Sequence, residues 1–142
     1  MGFCDNNKLW GIDLILDSDT TKIERLQFNV QIDGNGQITG EVKVSNGEVM
    51  SRLGGRCEGP QIPGVPVALM TFIFRVKKAG IVWGVHMSGV AHPPEANPKF
   101  RGKLRTFVPD INTPASSGVG ELQSISLLGD PGDTGTGTGQ QT

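Results

Sequence analysis

This chain of 142 residues has no tyrosine, two cysteines, two histidines and two tryptophans. Each shortage excludes something. With no tyrosine and only 6% aromatic residues, there is little on which nucleic-acid bases would stack. Two cysteines, Cys4 and Cys57, could pair but are too few for a disulfide framework, and no CxxC or HxxxH spacing prepares a metal site. Neither sign of charge dominates. Thirteen basic against 14 acidic residues leave a formal net charge of −1, so no global field steers a nucleic acid or an anionic membrane. No apolar run approaches the roughly 18 residues of a spanning helix. No basic stretch followed by an apolar one reads as a secretory signal. Gly2 sits where a myristoyl acceptor would, but Asn6 replaces the Ser or Thr that such a signal wants. The expectation is a cytoplasmic protein with reduced thiols, without cofactor or metal, and with no nucleic-acid or membrane partner.

Glycine is in excess, with 21 residues beside nine prolines. Together they make about a fifth of the chain, under the roughly 25–30% that marks low-complexity chains. Spread among apolar segments, they predict a turn-rich all-β protein. The length suits one domain, which buries roughly 68–70% of its unfolded surface.

The organising stretch runs from Pro66 to His92. It reads as two long strands, Pro66–Lys77 and Gly80–His92, joined by a turn at Lys77, Lys78, Ala79 and Gly80. In the first, both the Ala68–Val76 row and the Val67–Arg75 row are apolar for most of their length, so both faces are expected to be covered. Around this hairpin lie segments of period two. Trp10, Ile12, Leu14 and Leu16 share a face in Lys8–Ser18. Leu26, Phe28, Val30 and Ile32 alternate with polar residues in Lys22–Asp33, and Ile38, Gly40, Val42 and Val44 do so in Gln37–Val44. Asp33-Gly34-Asn35-Gly36 between the last two is a strong hairpin signal. Gly47–Gly59 is a weaker strand, in which Gly54 and Gly55 suggest a bulge or bend. Phe100–Val108 is the seventh strand and Glu121–Leu128 the eighth.

Eight strands at this spacing predict an all-β fold, a single closed antiparallel up-and-down barrel, with a β-sandwich as the alternative. Glycines inside strands favour the barrel, which needs places to bend. The barrel domain is assigned to residues 1–128. Residues 129–142, rich in Gly and Thr with nothing apolar to bury, are set apart as a tail.

Candidate sites are few. His86 and His92 are about 20 Å apart at strand rise, too far to share a metal. No catalytic constellation stands out. Ser88 beside His86 lacks a nucleophile elbow, and Asp133-Thr134-Gly135 lacks the apolar strand an aspartic-protease site requires. An eight-stranded barrel either fills with side chains or holds one small ligand. Trp10, Trp83, Phe72, His86 and Ser88 are the candidate lining of such a cavity, against the plainer reading of Trp10 and Trp83 as core. Arg101, Lys103 and Arg105 form a basic row suited to a phosphate or carboxylate, against the plainer reading of a solvated face.

An early strand bearing Trp10, then GQITGEVKV with Thr39-Gly40, then a long hairpin ending in WGVHMSGV resembles the calycin-type barrels, the avidin group in particular. The likeness is one of strand order over most of the chain. It implies a small ligand-binding barrel. The family's biotin contacts include a tyrosine and several tryptophans, and this chain has only Trp10 and Trp83, so no family site residue is carried over. The expected function is a non-catalytic module that binds a small apolar molecule and forms a homo-oligomer through the central hairpin. The alternatives are a structural protein with a filled core and a cavity enzyme of cyclase or isomerase type.

Overall fold

The structure, a computed structural model, describes residues 3–4, 8–17, 19–44, 49–60, 62–78, 81–93, 97–108 and 130–141, with the side chains of 19–24, 49–50, 76–78, 81–83, 107–108 and 130–134 excepted. Eight strands form one closed sheet: β1 (Lys8–Leu16), β2 (Asp19–Ile32), β3 (Gln37–Val44), β4 (Val49–Glu58), β5 (Ala68–Lys78), β6 (Ile81–His92), β7 (Lys99–Val108) and β8 (Asp130–Gln141). Each pairs antiparallel with its sequence neighbours, and β8 returns to β1. This is an up-and-down barrel, as the periodicity predicts, and it is consistent with a calycin-like fold.

Period-two alternation decides what lies inside. Trp10, Ile12 and Leu14 of β1, Leu26, Phe28, Val30 and Ile32 of β2, and Met70, Phe72 and Phe74 of β5 are all buried. Four phenylalanines meet edge to face. Phe28 lies 5.1 Å from Phe72 and 5.0 Å from Phe74 between ring centroids, and Phe72 lies 5.3 Å from Phe100. This geometry sets the positive edge of one ring against the negative face of the next.

The eighth strand differs from expectation. Glu121–Leu128 lies outside the described residues, and β8 comes from the stretch set apart as a tail. Lack of apolar side chains does not bar this segment from the barrel, because what it supplies is space. Gly135, Gly137 and Gly139 alternate with exposed Thr136 and Thr138. A Cβ on Gly137 would meet Met87 Sδ, and one on Gly139 would meet the Gly11 carbonyl and Ile12 Cδ1. The glycine wall lets the large residues opposite reach across the barrel.

Two further glycines are required by backbone geometry. Gly40 and Gly55 have φ of 144° and 149°, a region that residues with a Cβ rarely occupy. A Cβ there would run into the carbonyl oxygens of Asn29 and Thr71. Of the bulge or bend expected at Gly54–Gly55, the bulge does not occur. The β3–β4 register passes through both residues and shifts between Val42 and Lys43 instead.

The β2–β3 turn follows its sequence signal. Asp33 Oδ1 accepts the backbone N–H groups of Asn35 (2.8 Å) and Gln37 (2.9 Å), with Gly36 at φ 82°. Further round the sheet, the regular β4–β5 register ends at Gly54 opposite Ile73. Beyond it the Arg75 N–H donates to Ser51 Oγ at 2.9 Å, so a side chain continues the ladder.

Cys4 and Cys57 are joined in a disulfide, their Cα atoms 5.9 Å apart. The expectation of reduced thiols is corrected, and the cytoplasmic expectation loses its basis in them, since such bonds persist in oxidising surroundings. The link fixes the N-terminal segment, with Phe3 buried, to the end of β4.

Two outcomes are expected. Gly40→Ala or Gly55→Ala should each cost roughly 3 kcal/mol in urea unfolding, while Gly11→Ala, whose Cβ meets nothing within 4 Å, should stay within about 0.5 kcal/mol of the parent. The disulfide spans a sequence separation of 53. Reducing it should lower stability by about 4 kcal/mol on the chain-entropy account, read as a fall in the urea midpoint with dithiothreitol that is absent in Cys4→Ser/Cys57→Ser.

Candidate functional site

The alternation that fills the barrel also sorts the candidate residues into two places. Trp10 and Phe72 point inward and are fully buried in the aromatic core. Trp10 Nε1 has no hydrogen-bond partner among the described residues. His86 and Ser88 stand on the opposite face of β6 from buried Val85 and Met87, half-buried and exposed respectively. They belong to the outer wall and do not share a cavity with Trp10 and Phe72. The backbone of Trp83 pairs with Val76, and its side chain lies outside the description.

On that outer wall the second candidate group meets the first. Arg101, Lys103 and Arg105 alternate on β7 with buried Gly102, Leu104 and Thr106, and all three are exposed. The β6–β7 register sets His86 opposite Arg105 and Ser88 opposite Lys103. The β7–β8 register sets Lys103 opposite Thr136 and Arg101 opposite Thr138. Directly opposed residues on neighbouring strands have Cβ atoms roughly 4.5–5.5 Å apart. Lys103 is therefore flanked by a hydroxyl-bearing residue on each side. A cleft of about 570 Å³ opens here, and its polar lining is Asp17, His86, Ser88, Lys103, Arg105 and Thr136.

The cleft is rich in positive charge. Among the described residues Arg25 pairs with Asp13 and Arg56 with Glu58, both on other parts of the wall. Arg101, Lys103 and Arg105 have no carboxylate partner there. The pKa of His86 is held below its ordinary value of 6.5, first by burial against the sheet and second by the positive charge of Arg105. Its imidazole is therefore mainly neutral near pH 7, with one N–H to donate and one nitrogen to accept. Among the described residues no group of three or more His, Cys, Asp or Glu side chains could hold a metal ion.

The sequence reading missed Thr136 and Asp17. Thr136 was hidden by treating the Gly-Thr repeat as a tail, although its alternation is that of a strand. Asp17 follows β1 and approaches β6–β8 only through barrel closure, which has no local signal. Elsewhere, Ile62 and Val65 line a shallow groove of about 410 Å³ in the loop before β5, and both are exposed, as is Leu69.

No family model, no curated protein and no solved structure matches this chain.

The lowered pKa of His86 links stability to pH. The unfolded chain takes up this proton near pH 6.5 and the folded chain only at lower pH. The His86 contribution is therefore complete above pH 6.5 and is lost as the pH falls below it toward the folded pKa. Melting curves between pH 7.5 and 5 should show a steeper loss in the parent than in His86→Gln. Arg105→Gln should reduce the slope in part, since its charge is the second cause of the shift.

Proposed function

We propose that this barrel is a non-catalytic binding module whose ligand sits on the outer wall, in the cleft over β6, β7 and β8, and carries an anionic group. One observation carries the reading: two adjacent cations without ion-pair partners among the described residues, Lys103 and Arg105, line a cleft that also holds His86, Ser88, Thr136 and the carboxylate of Asp17, with Arg101 further along the same strand face. In a chain of net charge −1, such a local excess of one sign is not a general property of the surface. A ligand with negative charge neutralises it, and the hydroxyl residues add orientation.

The interior supports this placement by what it holds. Trp10, Phe28, Phe72, Phe74 and Phe100 occupy it, and the glycine strand is in close contact with Met87 and Ile12. The reading of a small apolar ligand inside the barrel keeps one supporting observation, the Nε1 of Trp10, which has no partner among the described residues, because buried donors ordinarily have an acceptor. Self-association is a companion proposal. Ile62, Val65 and Leu69 expose large apolar side chains at and just before the start of β5, so this end of the central hairpin is the expected contact between copies.

Thermal-shift and calorimetric titrations with two ligand panels separate the readings. Small organic anions should raise the melting temperature, with the effect weakening as salt rises from 20 to 500 mM. Apolar ligands should leave it, and the tryptophan emission, unchanged. A response to the apolar panel alone would move the site into the barrel. Multi-angle light scattering tests self-association: the parent should exceed the monomer mass and Leu69→Lys should fall toward it.

A further inference from the structure

The geometry points to a narrower ligand class at this site: we propose that the cleft takes the phosphoryl group of a phosphate monoester, held between Lys103 and Arg105 with Ser88, Thr136 and His86 around it. The inference rests on the outer-wall reading above and deepens it by naming the group bound.

Three features favour a tetrahedral oxyanion over a planar carboxylate. The first is charge. Lys103 and Arg105 are two residues apart on one strand face, at a spacing of about 6.8 Å, and neither has a carboxylate partner among the described residues. With Asp17 in the same lining, the cleft carries two positive charges and one negative, and a monoester, with close to two negative charges near pH 7, engages both cations more fully than the single charge of a carboxylate or phosphodiester.

The second is the direction of the donors. A carboxylate presents two oxygens in one plane and is well served by a single guanidinium fork. Here the candidate donors come from three adjacent strands. Ser88 of β6, Lys103 of β7 and Thr136 of β8 lie in one cross-strand row, and His86 and Arg105 lie in the next. Donors approaching from both sides and from below suit the three terminal oxygens of a phosphoryl group, each facing a different strand.

The third is the state of His86. It faces Arg105 and Lys103 of β7, Asp17 beside β1, and Ile73, directly opposite on β5, with Arg75 two cross-strand pairs further along. Burial and the charge of Arg105 keep it mainly neutral near pH 7. It supplies an N–H to the ligand without adding a third full positive charge to the cleft. Arg101, further along the same β7 face, lies outside the cleft lining and extends the positive surface along the approach to it.

The test is calorimetric titration of the full chain at pH 7.5 and 50 mM salt with four probes: inorganic phosphate, phenyl phosphate, diphenyl phosphate and benzoate. Phenyl phosphate should bind at least tenfold tighter than diphenyl phosphate or benzoate, and inorganic phosphate should compete with it. Lys103→Gln and Arg105→Gln should each weaken phenyl phosphate roughly tenfold, while Arg25→Gln, on the wall of β2, should leave it unchanged. Melting curves confirm that these surface variants fold. The phosphorus NMR shift of bound phenyl phosphate should move in the parent and return to the free value in Lys103→Gln/Arg105→Gln. Equal affinity for benzoate and phenyl phosphate, with both lost in the double variant, would overturn the phosphoryl assignment and leave the outer-wall anion site standing. Binding of none of the four probes would overturn both.

Discussion

The barrel depends on a match of volumes across its axis. A closed eight-stranded sheet encloses a space that side chains can just fill. Here the filling is unequal. β1, β2 and β5 send in a tryptophan, three phenylalanines and several aliphatic residues, while β8 sends in Gly135, Gly137 and Gly139 and, at its end, Gln141. Protein interiors tolerate neither overlap nor gaps larger than a water molecule, so the bulky rows and the bare row are one feature seen from two sides. Gly40 and Gly55 extend the same principle to the backbone, where φ values of 144° and 149° bring neighbouring strands closer than a side chain would permit.

This match explains which parts of the fold were legible in the sequence. Strands that contribute side chains to the core carry the alternation of apolar and polar residues. Residues such as Leu26, Phe28, Val30 and Ile32 declare both strand and inner face, and the Asp33–Gly36 turn declares the hairpin. A strand whose contribution is the absence of side chains carries no hydrophobic signal, so β8 read as a tail. The Cys4–Cys57 bond was legible only as a possibility. It joins residues 53 apart, and tertiary structure decides whether such positions come together.

The candidate site was half legible. The basic row of β7 followed from alternation, and so did the shared face of His86 and Ser88. What alternation alone could not supply was whether each row points in or out. The core residues of β6, Val85 and Met87, settle that His86 and Ser88 point outward. Once they do, barrel order places them beside Lys103 and Arg105, and two separate candidate groups become one cleft. Trp10 is buried in the core, while the exposed β7 wall holds cations that find no counter-charge among the described residues.

The bare inner face of β8 also bears on how the sheet is assembled. Glycine has weak intrinsic strand preference and loses more conformational freedom on ordering than any other residue. A segment spelling Gly-Thr-Gly-Thr-Gly has no reason to become a strand before β1 and β7 are in place to hold it. Its partners come from opposite ends of the barrel's strand order, β1 beginning at Lys8 and β7 at Lys99, so the closing contacts have long sequence separation and form slowly. Until that docking, β1 and β7 are open edges with unsatisfied backbone donors and acceptors, the kind of surface on which chains of different molecules add to one another. The stave that makes a crowded interior possible is also the latch that ends the protein's exposure to aggregation.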